Sequence, residues 1–323
     1  MHVPVMLHEC IERLGLDVHG NMSVSVDCTL GYGGHTLEMI KRTLDSGGIH
    51  IALDQDSIEI RKAEERVRAQ LSTICTSKDS NNRFLTYNRN FRSLSEIIQE
   101  LGFTGKITSL LADLGYSSMQ IDNPARGFTY KFEGPLDMRM DTKSINETAS
   151  QLIDRLDQKT LANLLRDNSD EEFADGIADS LISSRPVTTT SQLAKAVKKA
   201  CIQGHNSRRL APPSRENINS AIARTMQALR VEVNGEFASL DALLRILPKI
   251  LAPDGRAVFL TFHSGEDRRV KKSFKLGFNK GEYSSWSRDV IIAGPDERRS
   301  NPRSKCAKLR WSIRSTTINS GDK

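Results

Sequence analysis

The sequence predicts an α/β fold: a mostly parallel sheet interrupted by an inserted all-helical domain. Three features carry this reading. Strand and helix patterns alternate through the first third of the chain. No buried-strand pattern occurs from about Asn123 to Arg215. The alternation then resumes before the C-terminus.

Each element follows from its own residues. Val24–Asp27 is a short apolar-alternating strand that runs into the glycine turn GYGGHT, and Thr36–Leu44 reads as the helix after it. Ile49–Asp54, IHIALD, is a second strand. Ser57–Leu71 is a charged helix whose apolar residues Ile60, Ala63, Val67 and Leu71 recur at helical spacing. Phe84–Tyr87 is a third strand, Leu94–Leu101 a helix, and Ile107–Asp113, ITSLLAD, a fourth strand. Such βα alternation demands crossover connections, hence parallel strands with helices on both faces. The interrupted region opens with the loop NPARGFTYKFEGPLDMRMD. Helical patterns follow over Glu147–Leu156, Gln158–Arg166, Glu171–Ser183 and Thr190–Cys201, with caps or loops at Ser169, Ser184 and Thr188–Thr190. GHNSRRLAPPSREN is a polar, basic, proline-containing connector. After it come helices over Asn219–Glu232 and Glu236–Leu251, a Pro-Gly turn into a strand over Ala257–Phe262, and a last strand in KCAKLRWSIR with a basic outer face. Residues 1–122 and 216–323 are therefore expected to form one discontinuous domain, and 123–215 the helical insertion.

Composition narrows the function classes. Hydrophobic content of 38% and charged content of 27% suit a soluble globular chain with a real core. No apolar run approaches the roughly 20 residues of a membrane span. MHVPVMLHEC lacks the features of a secretory leader, so none is expected. The net charge of +6 permits a polyanionic partner without requiring one. Five cysteines are scattered, with no CxxC pair, which argues against a disulfide framework or a zinc site and for a reducing compartment. No metal is expected.

The glycine turn carries the chemistry. No Lys-Ser or Lys-Thr follows it, which disfavours a nucleotide-triphosphate loop, and the third glycine of a dinucleotide fingerprint is missing. A nucleoside with a charged, phosphate-free tail remains, and S-adenosylmethionine has that form. Asp54 stands 20 residues after Gly34, at the end of the second strand, where a carboxylate can accept both ribose hydroxyls. The alternative is a turn that merely packs a helix onto a strand. Asp113 ends the fourth strand and points to the same crevice, although a helix N-cap would use the same residue.

HVPVML, DCTLGYGGHT, ALDQD, LLADLGYSSMQIDNPARGF, GPLDMRMD, RTMQALRVEVN, FHSGEDR and NPRSKCAKLR together resemble the RsmH (MraW) family, from residue 2 to about 314. The resemblance implies a Rossmann-like SAM-dependent methyltransferase sheet with a helical domain inserted after the fourth strand. It also implies transfer of a methyl group to the N4 amine of a cytidine in the decoding centre of small-subunit rRNA. Carried over by position, Gly33, Gly34 and His35 fall on the cofactor turn, Asp54 on the ribose acid, Phe91 beside the adenine, and Asp113 and Gln120 on two further cofactor positions. Such a protein would work in the bacterial cytoplasm, or in a mitochondrial or plastid matrix, as monomer or homodimer. The family's FHSLEDR reads FHSGEDR here, and HPATRTFQ reads SAIARTMQ. These departures, Gly265, Ser220, Ala221 and Met226, are expected on the RNA side, where they bear on target choice.

The N4 amine is a poor nucleophile because its lone pair is delocalised into the ring. It must be oriented, and it must lose a proton. The D/N-P-P-Y/F loop of many amino-methyltransferases is replaced here by DLGYSS, which leaves Asp113 as the nearest proton-acceptor candidate. For the RNA, the candidates are Arg139, His263, Arg268 and Arg303. Arg126, Arg269, Lys131, Lys271, Lys272, Lys305, Lys308 and Arg310 add positive charge. Phe128, Tyr130 and Phe132, at alternate positions, suit base stacking or equally a strand with a buried aromatic face; Asp137 and Asp141 could hold Arg139 in a salt bridge. A SAM enzyme acting on another RNA, and a non-catalytic ribosome-assembly factor, are the competing readings.

Overall fold

The computed structural model describes residues 3–16, 23–75, 80–207 and 211–316. His2, and Arg208 to Leu210 of the basic connector, lie outside the described residues. The chain forms two compact units. One runs to Gly115 and resumes at Ala238; the other is Tyr116–Phe237.

The first unit is built on an eight-stranded sheet. Its strands are β1 (Val24–Asp27), β2 (Ile49–Leu53), β3 (Phe84–Tyr87), β4 (Ile107–Asp113), β5 (Leu251–Thr261), β6 (Tyr283–Trp286), β7 (Ile291–Ile292) and β8 (Lys308–Arg314). The order is β3-β2-β1-β4-β5-β8-β6, and β7 pairs with β8. Strands β1 to β5 are parallel, whereas β8 runs antiparallel between β5 and β6. The first four strands match the sequence reading closely. β5 starts earlier than expected: Ile107 pairs with Leu251 and Ser109 with Arg256, so Pro253, Asp254 and Gly255 loop out of the ladder. Strands β6 and β7 were not foreseen; they are short or polar, and they sit at the sheet's edge.

Both faces of the sheet are covered, and alternation along the strands shows it. Leu110 and Ala112 of β4 and Ala257 and Phe259 of β5 join a core with helices Leu94–Glu100, Glu236–Ile250 and Ser264–Asn279. Their neighbours Leu111, Val258 and Leu260 point the other way, into a core with helix Leu7–Leu14. Chain direction reverses its progress across the sheet between β1 and β4. The carboxyl ends of these strands therefore border the crevice where open α/β sheets bind ligands.

The second unit contains helices Ala149–Arg155, Gln158–Ser169, Ala174–Ser183, Thr190–Ser207 and Arg215–Asn234 around one core. Thr148, Asp157 and Ser214 cap three of them through side-chain oxygens. Among the described residues its strand content is a single isolated bridge, Pro135 to Thr189. The unit extends past the expected boundary at residue 215. Helix Arg215–Asn234 contributes Ala221, Ile222, Met226, Ala228 and Leu229 to this core and so belongs with the insertion. Two of the sequence departures, Ala221 and Met226, are buried in this core.

Candidate active site

The site grows from a buried acid at the end of β1. Asp27 accepts hydrogen bonds from Thr36 Oγ1 at 2.7 Å, Thr29 N at 3.0 Å and Thr29 Oγ1 at 3.4 Å. Thr29 Oγ1 in turn accepts from Asp113 N at 2.8 Å. One carboxylate thereby ties the turn, the first turn of helix Gly34–Asp45 and the end of β4 together. Burial raises its pKa. The sequence reading did not single out Asp27; the only available signal was an acid at a strand end two residues before a threonine.

The glycine turn closes tightly, with Gly33 N donating to Leu30 O at 2.7 Å. Gly33 has φ +88° and stands at the N-cap of helix Gly34–Asp45, a left-handed conformation that glycine adopts freely. A methyl group there would lie 2.7 Å from Val67 Cγ2, and one on Gly34 would strike the Pro4 ring. The protein's own packing leaves no room for a side chain at either position. No side chain among the described residues caps this helix, so the N–H groups of its first turn are available to an anionic group.

Asp54 follows β2. Its Oδ2 accepts from Gly31 N at 2.8 Å and its Oδ1 from Asp56 N at 2.9 Å. Both oxygens are fixed by backbone and each keeps acceptor capacity. Burial pushes the carboxyl up to about 6, against the two hydrogen bonds that favour the ionised form. Asn88 Nδ2 donates to Asp54 O at 2.9 Å, and Asn90 Nδ2 to Gln55 Oε1 at 2.7 Å, which anchors the segment after β3. Phe91 begins the 3₁₀ turn Phe91–Ser93 there. It is half-buried against the core on that side of the sheet.

Asp113, at the end of β4, holds the least satisfied atom of the site. Its Oδ1 is buried with no hydrogen-bond partner among the described residues. Its Oδ2 lies 3.6 Å from His35 Nδ1, beyond hydrogen-bond range. His35 Nε2 is 3.0 Å from Val5 O, which can only accept, so Nε2 carries a hydrogen. Burial pushes Asp113 up to about 6; His35 and Arg303 oppose the rise, and Asp27 and Glu266 add to it.

These residues fit S-adenosylmethionine. The uncapped helix start suits its carboxylate, Asp54 its ribose hydroxyls, and the orphaned Oδ1 of Asp113 a hydrogen-bond donor or a cationic centre. The sheet unit brings Gly33, Gly34, His35, Asp54, Phe91 and Asp113 to its carboxyl edge. Gln120 belongs to the second unit, where it is buried and its Oε1 accepts from Ser117 N at 3.0 Å.

The expected RNA residues divide. His263 stands at the N-cap of helix Ser264–Asn279, two residues beyond β5, with Nε2 3.2 Å from Glu266 Oε1, while Glu266 Oε2 accepts from Phe262 N at 2.8 Å. Arg268, Lys271 and Lys272 are exposed on helix Ser264–Asn279, and Arg303 lies close enough to Asp113 to influence its ionisation. Arg310 departs from the expected basic outer face. It is buried, its Nε is 2.6 Å from Asp267 Oδ1, and it donates to Ser287 O at 3.2 Å. In the second unit Arg139 forms the salt bridge that the sequence allowed, with Nε 2.7 Å and Nη2 2.8 Å from the two oxygens of Asp137, and it also donates to Ile145 O.

The chain is similar to several known proteins. The ribosomal RNA small subunit methyltransferase H 1 of Lachnoclostridium phytofermentans is 38% identical over 319 residues, covering 97% of this chain and 81% of that protein. The ribosomal RNA small subunit methyltransferase H of Solibacter usitatus is 38% identical over 311 residues, covering 96% and 98%. That of Acidobacterium capsulatum is 36% identical over 309 residues, covering 96% and 97%. The family model described as the MraW methylase family matches residues 1–315. With turn, acids and helical insertion all inside that match, the chain belongs to the MraW methylases.

Proposed function

We propose that this protein transfers a methyl group from S-adenosylmethionine to the N4 amine of a cytidine in the decoding region of small-subunit rRNA. The observation that carries the reading is the buried, unpartnered Oδ1 of Asp113 on the sheet edge that also presents Asp54. When bound, the cofactor supplies a methyl group on a sulfonium, a leaving group that needs no protonation. Asp54 would hold the ribose, and the first turn of helix Gly34–Asp45 the methionine carboxylate. Asp113 Oδ1 would accept a hydrogen of the N4 amine, orienting its lone pair and then taking the proton it loses. Exposed Arg268, Lys271 and Lys272, with Arg303, supply the charge that meets RNA phosphates. Arg139 serves its own loop. The helical unit is assigned to substrate recognition.

The burial of Ala221 and Met226 removes most of the case for an altered target. No described helix is long and apolar enough to cross a membrane. We place the reaction in the bacterial cytoplasm. The test is incubation with labelled S-adenosylmethionine and small-subunit particles, followed by mass-spectrometric mapping of the modified nucleotide. A label on N4 of one decoding-region cytidine is expected. Label on another RNA, or on none, overturns the reading.

A further inference from the structure

The three alternating aromatics of the 123–141 loop have separate fates. Phe128 is buried, Tyr130 is half-buried, and Phe132 is 63% exposed. No strand forms there, so the buried-face alternative fails. Yet the backbone at and just after Phe132 is held at several points. Thr190 Oγ1 donates to Phe132 O at 3.1 Å and accepts from Gly134 N at 3.2 Å. Thr190 N donates to Gly134 O at 3.0 Å, and Leu136 N to Thr188 O at 2.8 Å. Gly134 rests against the carbonyl of Pro124 and Gly127 against that of Pro135, contacts that any side chain would destroy. Met138 N donates to Arg126 O at 3.0 Å, and Leu136, Met138 and Met140 anchor the base of the loop in the helical core.

An exposed phenyl ring on a floppy tip needs no explanation. This one sits on a tip whose ordering cost is already met by the rest of the fold, which is how binding residues are preorganised. We propose that Phe132 is a stacking platform for an unpaired base of the RNA substrate. The inference rests on the RNA reading above and adds a residue to it. A protein partner is the weaker fit, because interface anchors sit in contiguous apolar surface. The neighbours of Phe132, Lys131 and Glu133, are charged and exposed. A base needs one ring face, and Lys131 beside it can meet a phosphate.

The test compares the full-length chain with Phe132→Ala and Phe132→Trp. Binding to an unstructured oligocytidylate is followed by fluorescence anisotropy at several salt concentrations, and methylation is measured on protein-free small-subunit rRNA and on intact particles. Phe132→Ala is expected to weaken oligonucleotide binding about tenfold, the scale of one lost base stack, with an unchanged salt slope and an unchanged melting temperature. Phe132→Trp is expected to bind like the parent and to show quenched emission on binding. Equal affinity of Phe132→Ala and parent overturns the proposal. So does a loss confined to intact particles, which would mean that the tip meets protein. If the parent methylates no RNA, the functional reading falls, while the oligonucleotide comparison still decides the role of Phe132.

Discussion

Two loops of this molecule are shaped by missing side chains, and they differ in what fills the vacated space. In the turn after β1, a methyl on Gly33 or Gly34 would meet side chains, those of Val67 and Pro4. In the 123–141 loop, a methyl on Gly127 or Gly134 would meet carbonyl oxygens, those of Pro135 and Pro124. A side chain can move aside at a cost, more for the Pro4 ring than for the end of Val67; a hydrogen-bonded backbone cannot. The first loop is therefore adjustable and the second is rigid. The first borders a crevice that must admit and release a small molecule; the second presents a tip whose form is set in advance.

The largest effect is expected at the rigid loop. Gly134→Ala drives a methyl into the Pro124 carbonyl and should destabilise the helical unit by about 3 kcal/mol, the upper end of ordinary overpacking. Thermal melts and limited proteolysis of the loop would read it. Weakened RNA binding should accompany the lower melting temperature, in contrast to Phe132→Ala, which loses binding alone. A Gly134→Ala protein as stable as its parent would erase the distinction between the two loops.

Next in size is Asp54→Ala. It removes the acceptor for the Gly31 and Asp56 N–H groups as well as for the ribose. With hydrogen bonds to an ionised acceptor worth about 1.5–3 kcal/mol each, S-adenosylmethionine affinity should fall at least roughly a hundredfold by calorimetry. Unchanged affinity would show that the adjustable turn does not seat the cofactor.

Acidity gives a finer test. Asp54 and Asp113 are both pushed to about 6 by burial, so each gains a proton as pH falls through that value. Cofactor affinity should drop with Asp54 and kcat with Asp113, both on the acid side. Folding linkage has the opposite sign. The native carboxyls bind protons in a range, from about 6 down to about 4, where the unfolded ones do not, so these two groups add stability as pH falls. Activity lost at pH 5.5 therefore reflects titration of the site and not unfolding driven by these groups. His35→Asn, which removes a group that holds the Asp113 pKa down, should move the kcat limb to higher pH. A limb that stays in place would separate His35 from the proton chemistry.

The sheet unit was the more legible half. The Leu110–Ala112 run of β4 is apolar at successive positions because the strand is buried on both faces, and Asp54 and Asp113 stand out as the acids that close buried strands. What stayed hidden depends on contacts far apart in sequence. Arg310 reads as an outer cation until Asp267, 43 residues earlier, is found to hold it. Phe132 looked no different from Phe128 until its exposure was known. The domain boundary slipped for a related reason: helix Arg215–Asn234 has apolar residues that would suit either unit, and only packing assigns them. At Gly34 the structure adds a close approach that the sequence did not show, that of Pro4 from the start of the chain.

That last point yields the smallest effect and the sharpest test of the adjustable turn. Gly34→Ala brings a methyl against the Pro4 ring. It also gains roughly 0.4–1 kcal/mol by restricting the unfolded chain. The 2.4 Å approach to Pro4 Cγ requires the ring to shift, an overpacking cost of about 1–2 kcal/mol, so the net loss of stability should be about 1 kcal/mol, and cofactor affinity should fall no more than a few fold. Pro4→Ala on the same chain should restore that affinity, giving a coupling near 1 kcal/mol in a double-mutant cycle. The reason is steric: the pyrrolidine ring holds the three atoms nearest to the new methyl. If affinity is lost in Gly34→Ala and does not recover when Pro4 is trimmed, the methyl must be meeting the cofactor itself. The turn would then be as intolerant as the 123–141 loop, and the contrast between adjustable and rigid would have to be given up.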